Sequence, residues 1–168
     1  MEMRDAVAED WPKIWPFLRD IVRAGETYTW PTDVTEDVAR GMWMAQARPY
    51  RTVVAVENNG DGDEVLGTAK FGPNHLGPGS HIANASFMVS PAHGGKGVGR
   101  ALGRHVLDQA RADGFRSMQF NAVVSTNTAA VNLWRSLGFE IIATLPEGFR
   151  HATKGYVDLH IMFRSLEA

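Results

Sequence analysis

Between Val89 and Asp113 the chain reads Val-Ser-Pro-Ala-His-Gly-Gly-Lys-Gly-Val-Gly-Arg and then turns helical in pattern. A β-rich run, Ile82 to Val89, stops at Pro91. Gly94, Gly95, Gly97 and Gly99 crowd the turn that follows, with Lys96 and Arg100 among them. Beyond it Val98, Ala101, Leu102, Val106 and Ala110 share one helical stripe, and Gly114 stands where such a helix ends. A strand, a glycine turn and a helix N-terminus together make an anion site. Backbone N–H groups point out of the turn, the helix dipole adds roughly half a positive charge, and glycine lets a phosphate approach the backbone. Two phosphate motifs are excluded by spacing. Lys96 is followed by Gly97 and not by Ser or Thr, so the Walker loop lacks its magnesium ligand. A dinucleotide fingerprint begun at Gly95 puts Arg100 in its last glycine slot, and one begun at Gly97 puts Leu102 there.

A second constellation lies downstream: Asn127-Thr-Ala-Ala130-Val-Asn-Leu133-Trp134-Arg-Ser-Leu-Gly138-Phe139. Thr126 or Asn127 can cap a helix here, Ala130, Leu133, Trp134 and Leu137 form its apolar stripe, and Gly138 ends it. This run resembles Asn-x-x-Ala-x-x-Leu-Tyr-x-x-x-Gly-Phe of the GCN5-related N-acetyltransferases, with Trp134 in the tyrosine slot. The glycine turn is similar to the same family's pyrophosphate loop, Gln/Arg-x-x-Gly-x-Gly/Ala. Gly97 and Gly99 fill its small positions, and Gly94 stands where Arg or Gln is usual.

The resemblance implies acetyl-coenzyme A as co-substrate, lying between strands Ile82–Val89 and Arg116–Val124. Its pyrophosphate would rest on the turn from Gly94 and Gly95 through Lys96, Gly97, Val98, Gly99 and Arg100. Its pantetheine would pair with the backbone of Met88 and Val89, beside Asn127, Ala130 and Trp134. The Val89 N–H would hold the developing oxyanion. The family's frequent general acid is a tyrosine; an indole cannot replace it, so Trp134 reads as a packing wall. An acetyl-accepting α-amine titrates at about 7.7–8 and needs little help from a base.

Asn84 and Asn121 fall on the two splayed strands, where asparagine is disfavoured. They form a polar ladder or bulge, or they orient substrate. With Asn127 and Tyr156-Val157-Asp158, they resemble acetyltransferases that act on proline analogues such as azetidine-2-carboxylate. Gly25-Glu26-Thr27-Tyr28-Thr29 resembles the acceptor segment of phosphinothricin acetyltransferases. Glu26, Thr27 and Tyr28 are therefore candidate acceptor residues, Glu26 as an ammonium partner or base, or else as a solvated loop residue. His75 and His81 are candidate bases or plain surface residues. No His, Asp or Glu pair stands at metal spacing, so no metal is expected.

The elements that must position these residues fit one domain. The chain has 168 residues, 44% of them hydrophobic, and no cysteine, so it needs a core without staples and has no thiol nucleophile. A net charge of −2 with no basic stripe argues against nucleic acid. The charged opening and the lack of a long apolar run predict neither signal peptide nor membrane span, with the cytoplasm as the default. A homodimer is possible for the family.

Strands are expected at Met3–Val7, Arg51–Glu57, Glu64–Phe71, Ile82–Val89, Arg116–Val124, Phe139–Leu145 and Tyr156–Phe163. The last should present Val157, Leu159, Ile161 and Phe163 on one face. Helices are expected at Trp11–Ala24, with Asp10 as cap and Pro16 forcing a kink or late start, and from an Asp33/Glu36 capping box to about Ala47. The order β-α-α-β-β-β-α-β-α-β-β is that of the resembled family. It implies an α/β, mostly antiparallel mixed sheet with splayed central strands flanked by helices. The function implied is direct acetyl transfer to a small amino-acid-like amine. Acetylation of a peptide or protein, or a non-catalytic coenzyme A sensor, are the alternatives.

Overall fold

A computed structural model describes residues 1–44, 47–60 and 62–167. Its strands are β1 (Glu2–Asp5), β2 (Arg51–Asn58), β3 (Asp63–Pro73), β4 (Ile82–Val89), β5 (Ser117–Val124), β6 (Glu140–His151) and β7 (Gly155–Ser165). Its helices are α1 (Trp11–Ala24), α2 (Glu36–Trp43), α3 (Val98–Ala112) and α4 (Thr128–Ser136). One sheet runs β1-β2-β3-β4-β5-β7-β6. Every pairing in it is antiparallel except β4 with β5. The mixed sheet and the expected element order are both present.

Alternation along β2 builds the two layers. Val53 and Ala55 face α3 with Leu102, Val106 and Met118, whereas Val54 and Val56 face α1 and α2 with Ile14, Leu18 and Trp43. Each cluster is dry, with Leu102, Val106, Ile14 and Leu18 fully inaccessible. Against the sheet α3 sits close because position 67 is glycine. A Cβ there would lie 3.0 Å from the Met88 carbonyl oxygen and 3.1 Å from Leu102 and Val98 side chains.

The parallel pairing of β4 and β5 is short, and this positions the site. Only Ile82 with Ser117 and Ala83 with Met118 are in register, after which the strands diverge. From Asn84 onward β4 has β3 on one side and an open gap on the other.

Several local expectations are corrected. α1 runs unbroken through Pro16, whose ring is exposed on the solvent side, where a helix curving around a core tolerates a lengthened or missing bond. Asp10 does not cap α1. Its buried carboxylate accepts from Arg4 Nη1 at 2.7 Å and Nη2 at 2.9 Å and from the Val7 N–H at 2.8 Å. The Asp33/Glu36 box is not made either. Thr35 occupies the cap position, Glu36 accepts from the Trp11 indole at 3.0 Å, and α2 ends at Trp43; the expected extension toward Ala47 crosses residues 45–46, outside the described residues. On β7 the buried face passes from Leu159 to Met162, because the register shifts on both neighbours, between Phe120 and Val123 and between Ile141 and Ala143. Ile161 and Phe163 are only half-buried in consequence.

Candidate active site

The gap between β4 and β5 opens into a cleft of about 500 Å³. Its walls are Asn84–Val89 of β4, Phe120–Val124 of β5, Asn127, Ala130 and Trp134 of α4 and its cap, and Thr27–Trp30 of the loop after α1. The backbone of β4 faces it in a determinate way. The Ser90 N–H donates to the Leu66 carbonyl at 2.9 Å, so even-numbered positions turn toward β3. The Phe87 carbonyl accepts the Tyr28 hydroxyl at 2.7 Å, so odd-numbered positions turn toward the gap. Strand residues direct N–H and C=O to the same side and alternate along the chain. The Val89 N–H therefore points into the cleft, and Met88 pairs with β3.

Past Val89 a single turn, Pro91–His93, leads to the glycines. Gly95 and Gly97 have φ of +74° and +82°, and a Cβ at either would meet nothing within 4 Å, so backbone conformation and not crowding demands glycine. Gly97 precedes α3, and no side chain caps that helix. The N–H groups of Val98, Gly99 and Arg100 open α3 without intrahelical acceptors, and the dipole makes that end positive. Gly99 binds the turn to the cleft: its Cβ position lies 3.3 Å from Leu133 and 3.6 Å from Val89. Lys96 and Arg100 are exposed beside it, and Gly94 has an ordinary φ of −59°. These donors fit a pyrophosphate.

Trp134 is buried at one wall, with ring centroids 4.6 Å from Phe87 and 4.8 Å from Phe120. Asn127 Oδ1 accepts from the Ala130 N–H at 3.2 Å, capping α4 while lining the cleft. Asn121 sits at the β5 irregularity; its amide donates to Asn74 at 2.7 Å and accepts from Gln119 at 3.0 Å, so a polar ladder exists there, and Asn121 also lines the cleft. Asn84 is half-buried and lines the cleft, and its side-chain amide has no hydrogen-bond partner among the described residues. Burial pushes the Tyr28 hydroxyl well above its ordinary value, so it stays protonated and tethers the loop to Phe87.

Thr27 joins Tyr28 at the wall, whereas Glu26 is exposed and outside the cleft lining, as are His75 and His81. Among the described residues no three His, Asp or Glu side chains gather at metal-binding distance. Sequence reasoning missed Lys70, which lines this cleft and a second chamber of about 560 Å³ beside it, shared through Asn84, Ala85 and Ser86. The available signal was a lone charge within the β3 run.

Fold and cleft together, an open strand edge beside a glycine turn and an uncapped helix start, suit an enzyme class that uses an extended, phosphate-bearing co-substrate. The family model for the Acetyltransferase (GNAT) family matches residues 8–139, and the chain belongs to that family. Over 107 residues it is 40% identical to N-acetyltransferase aca1 of Schizosaccharomyces pombe, covering 61% of this chain and 51% of aca1, so the match spans about half that relative's length. It is 34% identical over 148 residues to the L-methionine sulfoximine/L-methionine sulfone acetyltransferase of Pseudomonas paraeruginosa, covering 86% and 83% of the two chains. A GCN5-related N-acetyltransferase from Kribbella flavida superposes with a TM-score of 0.92 at 55% identity, over 98% of this chain and 96% of that one. The yncA structure from Salmonella typhimurium, solved with acetyl-CoA, gives 0.81 at 30% identity, over 100% and 95%. The chain is thus an N-acetyltransferase, with acetyl-CoA as its co-substrate.

Proposed function

We propose that the enzyme moves acetyl from acetyl-CoA directly to the amine of a small, amino-acid-like acceptor. The observation that carries this is the one-sided edge of β4. The Val89 N–H points into a cleft that adjoins the uncapped start of α3 on one side and a second chamber on the other. Chambers of about 500 and 560 Å³ suit a cofactor arm and a small acceptor. Relatives named for L-methionine sulfoximine and L-methionine sulfone support the acceptor class.

When bound, acetyl-CoA supplies an activated acyl group and a thiolate leaving group. The glycine turn and the first turn of α3 would hold its pyrophosphate, and the Phe87 and Val89 backbone would orient its arm. The Val89 N–H would stabilise negative charge developing on the carbonyl oxygen. Trp134 and Phe120 exclude water along one wall. Trp134 holds no transferable proton, and none is required: protonating a thiolate of pKa about 8.5 at pH 7 is worth only about 2 kcal/mol. Asn84 and Asn121 orient the acceptor across the gap. Direct attack of the amine on the thioester needs no enzyme-bound acyl intermediate.

Release of free coenzyme A is measured across amino acids, their analogues, polyamines and short peptides. Turnover confined to small amino acids and analogues is the expected result. Turnover with peptides alone would move the acceptor to proteins, and cofactor binding without turnover would make the chain a sensor.

A further inference from the structure

The two chambers share an unusual charge. Every charged residue lining them is a cation, namely Arg48, Arg51 and Lys70; no described Asp or Glu faces either space. Two of the three are already neutralised. Arg48 meets Asp113 at 3.1 Å, and Arg51 meets Asp5 at 2.7 Å and Asp113 at 3.3 Å. Lys70 has no carboxylate partner among the described residues. Its ammonium donates to the Met42 carbonyl at 2.5 Å and lies 5.9 Å from the ring centroids of both Trp30 and Trp43.

The strand register then places its neighbours. Lys70 stands opposite Ser86, and Gly72 opposite Asn84. Directly paired positions and those two apart project to one face, so Lys70, Ser86 and Asn84 share it. Gly72 carries no side chain, and Asn84 keeps its side-chain amide uncommitted, so the wall beside Lys70 holds a cation without an anion and an unpaired amide at the junction of the chambers.

We propose that Lys70, with Asn84 beside it, is the residue that recognises the acceptor's carboxylate and so restricts the enzyme to free amino acids. This rests on the acetyl-transfer reading above. The carboxylate would be held at the junction of the chambers, with the amine directed along β4 toward the cleft. Burial lowers the Lys70 ammonium below its ordinary value, which is the cost of leaving it without an anion; a bound carboxylate offsets it. The two indole faces stabilise the cation and fix its direction without neutralising it.

The test compares wild type, K70M and K70R with L-methionine sulfone, with azetidine-2-carboxylate and with the primary carboxamide of each. The double ratio between enzymes cancels the differing basicity of acid and amide amines. K70M is expected to raise KM for the acids about tenfold, the worth of one hydrogen bond to a charged group, with kcat little changed. The preference for acid over carboxamide should fall by the same factor, and K70R should restore most of it. KM for acetyl-CoA should not move. Tryptophan fluorescence titrated with L-methionine sulfone alone should show the same loss of affinity, independent of turnover. Equal effects on acid and carboxamide, or turnover of carboxamides but neither acid, overturns the role of Lys70 while leaving acetyl transfer standing. Release of no coenzyme A with any of the four, while acetyl-CoA still binds, defeats the small amino-acid acceptor reading, and the proposal falls with it. Should K70M fail to fold, K70Q replaces it: an about tenfold loss of the acid-over-carboxamide preference supports the role of Lys70, and an unchanged preference overturns it.

Discussion

At Gly97 the proposed pyrophosphate turn reduces to a single backbone angle. Its φ of +82° is one that side chains rarely adopt, while the space around it is open. Gly97→Ala is therefore expected to cost about 1–2 kcal/mol through strain alone, and to raise KM for acetyl-CoA as the turn relaxes; a denaturant melt and saturation kinetics check the two effects separately. Trp134 provides the opposite case, a residue whose identity invites a chemical role that its surroundings do not require. It packs against Phe87, Phe120 and Phe139. Trp134→Phe should keep kcat within a few-fold while lowering stability by about 1–3 kcal/mol for the lost contacts; a collapse of kcat with unchanged folding would assign the indole a direct part. The indole N–H and the Lys70 ammonium teach a common lesson. Side-chain type alone did not say which would matter, and the neighbours did.

Among the elements, those whose information is local were legible from the chain. The span of β4 and the stripe of α3 follow from patterns complete within a dozen residues, and so does the Asn127 cap on α4. What escaped was set by long-range pairing. The face of β7 depends on irregularities in β5 and β6, and the carboxylate of Asp10 was claimed by Arg4, from another element. Lys70 is the same kind of case, since its place in the site rests on lying opposite Ser86. A lone lysine in a strand reads as solvent-facing until the register is known. Glu26, chosen from a resemblance in the loop after α1, lies outside the cleft lining, while Tyr28 from that loop is anchored in it. That tether joins a loop to a strand edge by one hydrogen bond. Tyr28→Phe should cost about 1 kcal/mol and raise KM for the acceptor more than it lowers kcat; acceptor saturation curves for the two proteins check it.

For the whole molecule, the ion pair of half-exposed Arg4 with buried Asp10 couples stability to pH, because it ties β1 to the start of α1. Burial would raise the Asp10 carboxyl, but the Arg4 hydrogen bonds and the Val7 N–H outweigh it and hold the group below the usual range. A depressed folded value means that this contribution is complete above the unfolded value of about 4 and is lost as pH falls through the lower folded value. Asp10→Asn should lower stability by about 2 kcal/mol at neutral pH, and wild type should lose that advantage below about pH 4, seen by thermal melts across pH. The same global view gives the divergence of β4 and β5 a further meaning. A strand with one unpaired side is a template on which other chains can polymerise. Here that edge lies inside the molecule, walled by Trp134 on one flank and by the Tyr28 loop on the other. In the function proposed above that edge admits a slender thioester arm, yet it is too enclosed for a neighbour's strand. The same walls guard the open edge against aggregation.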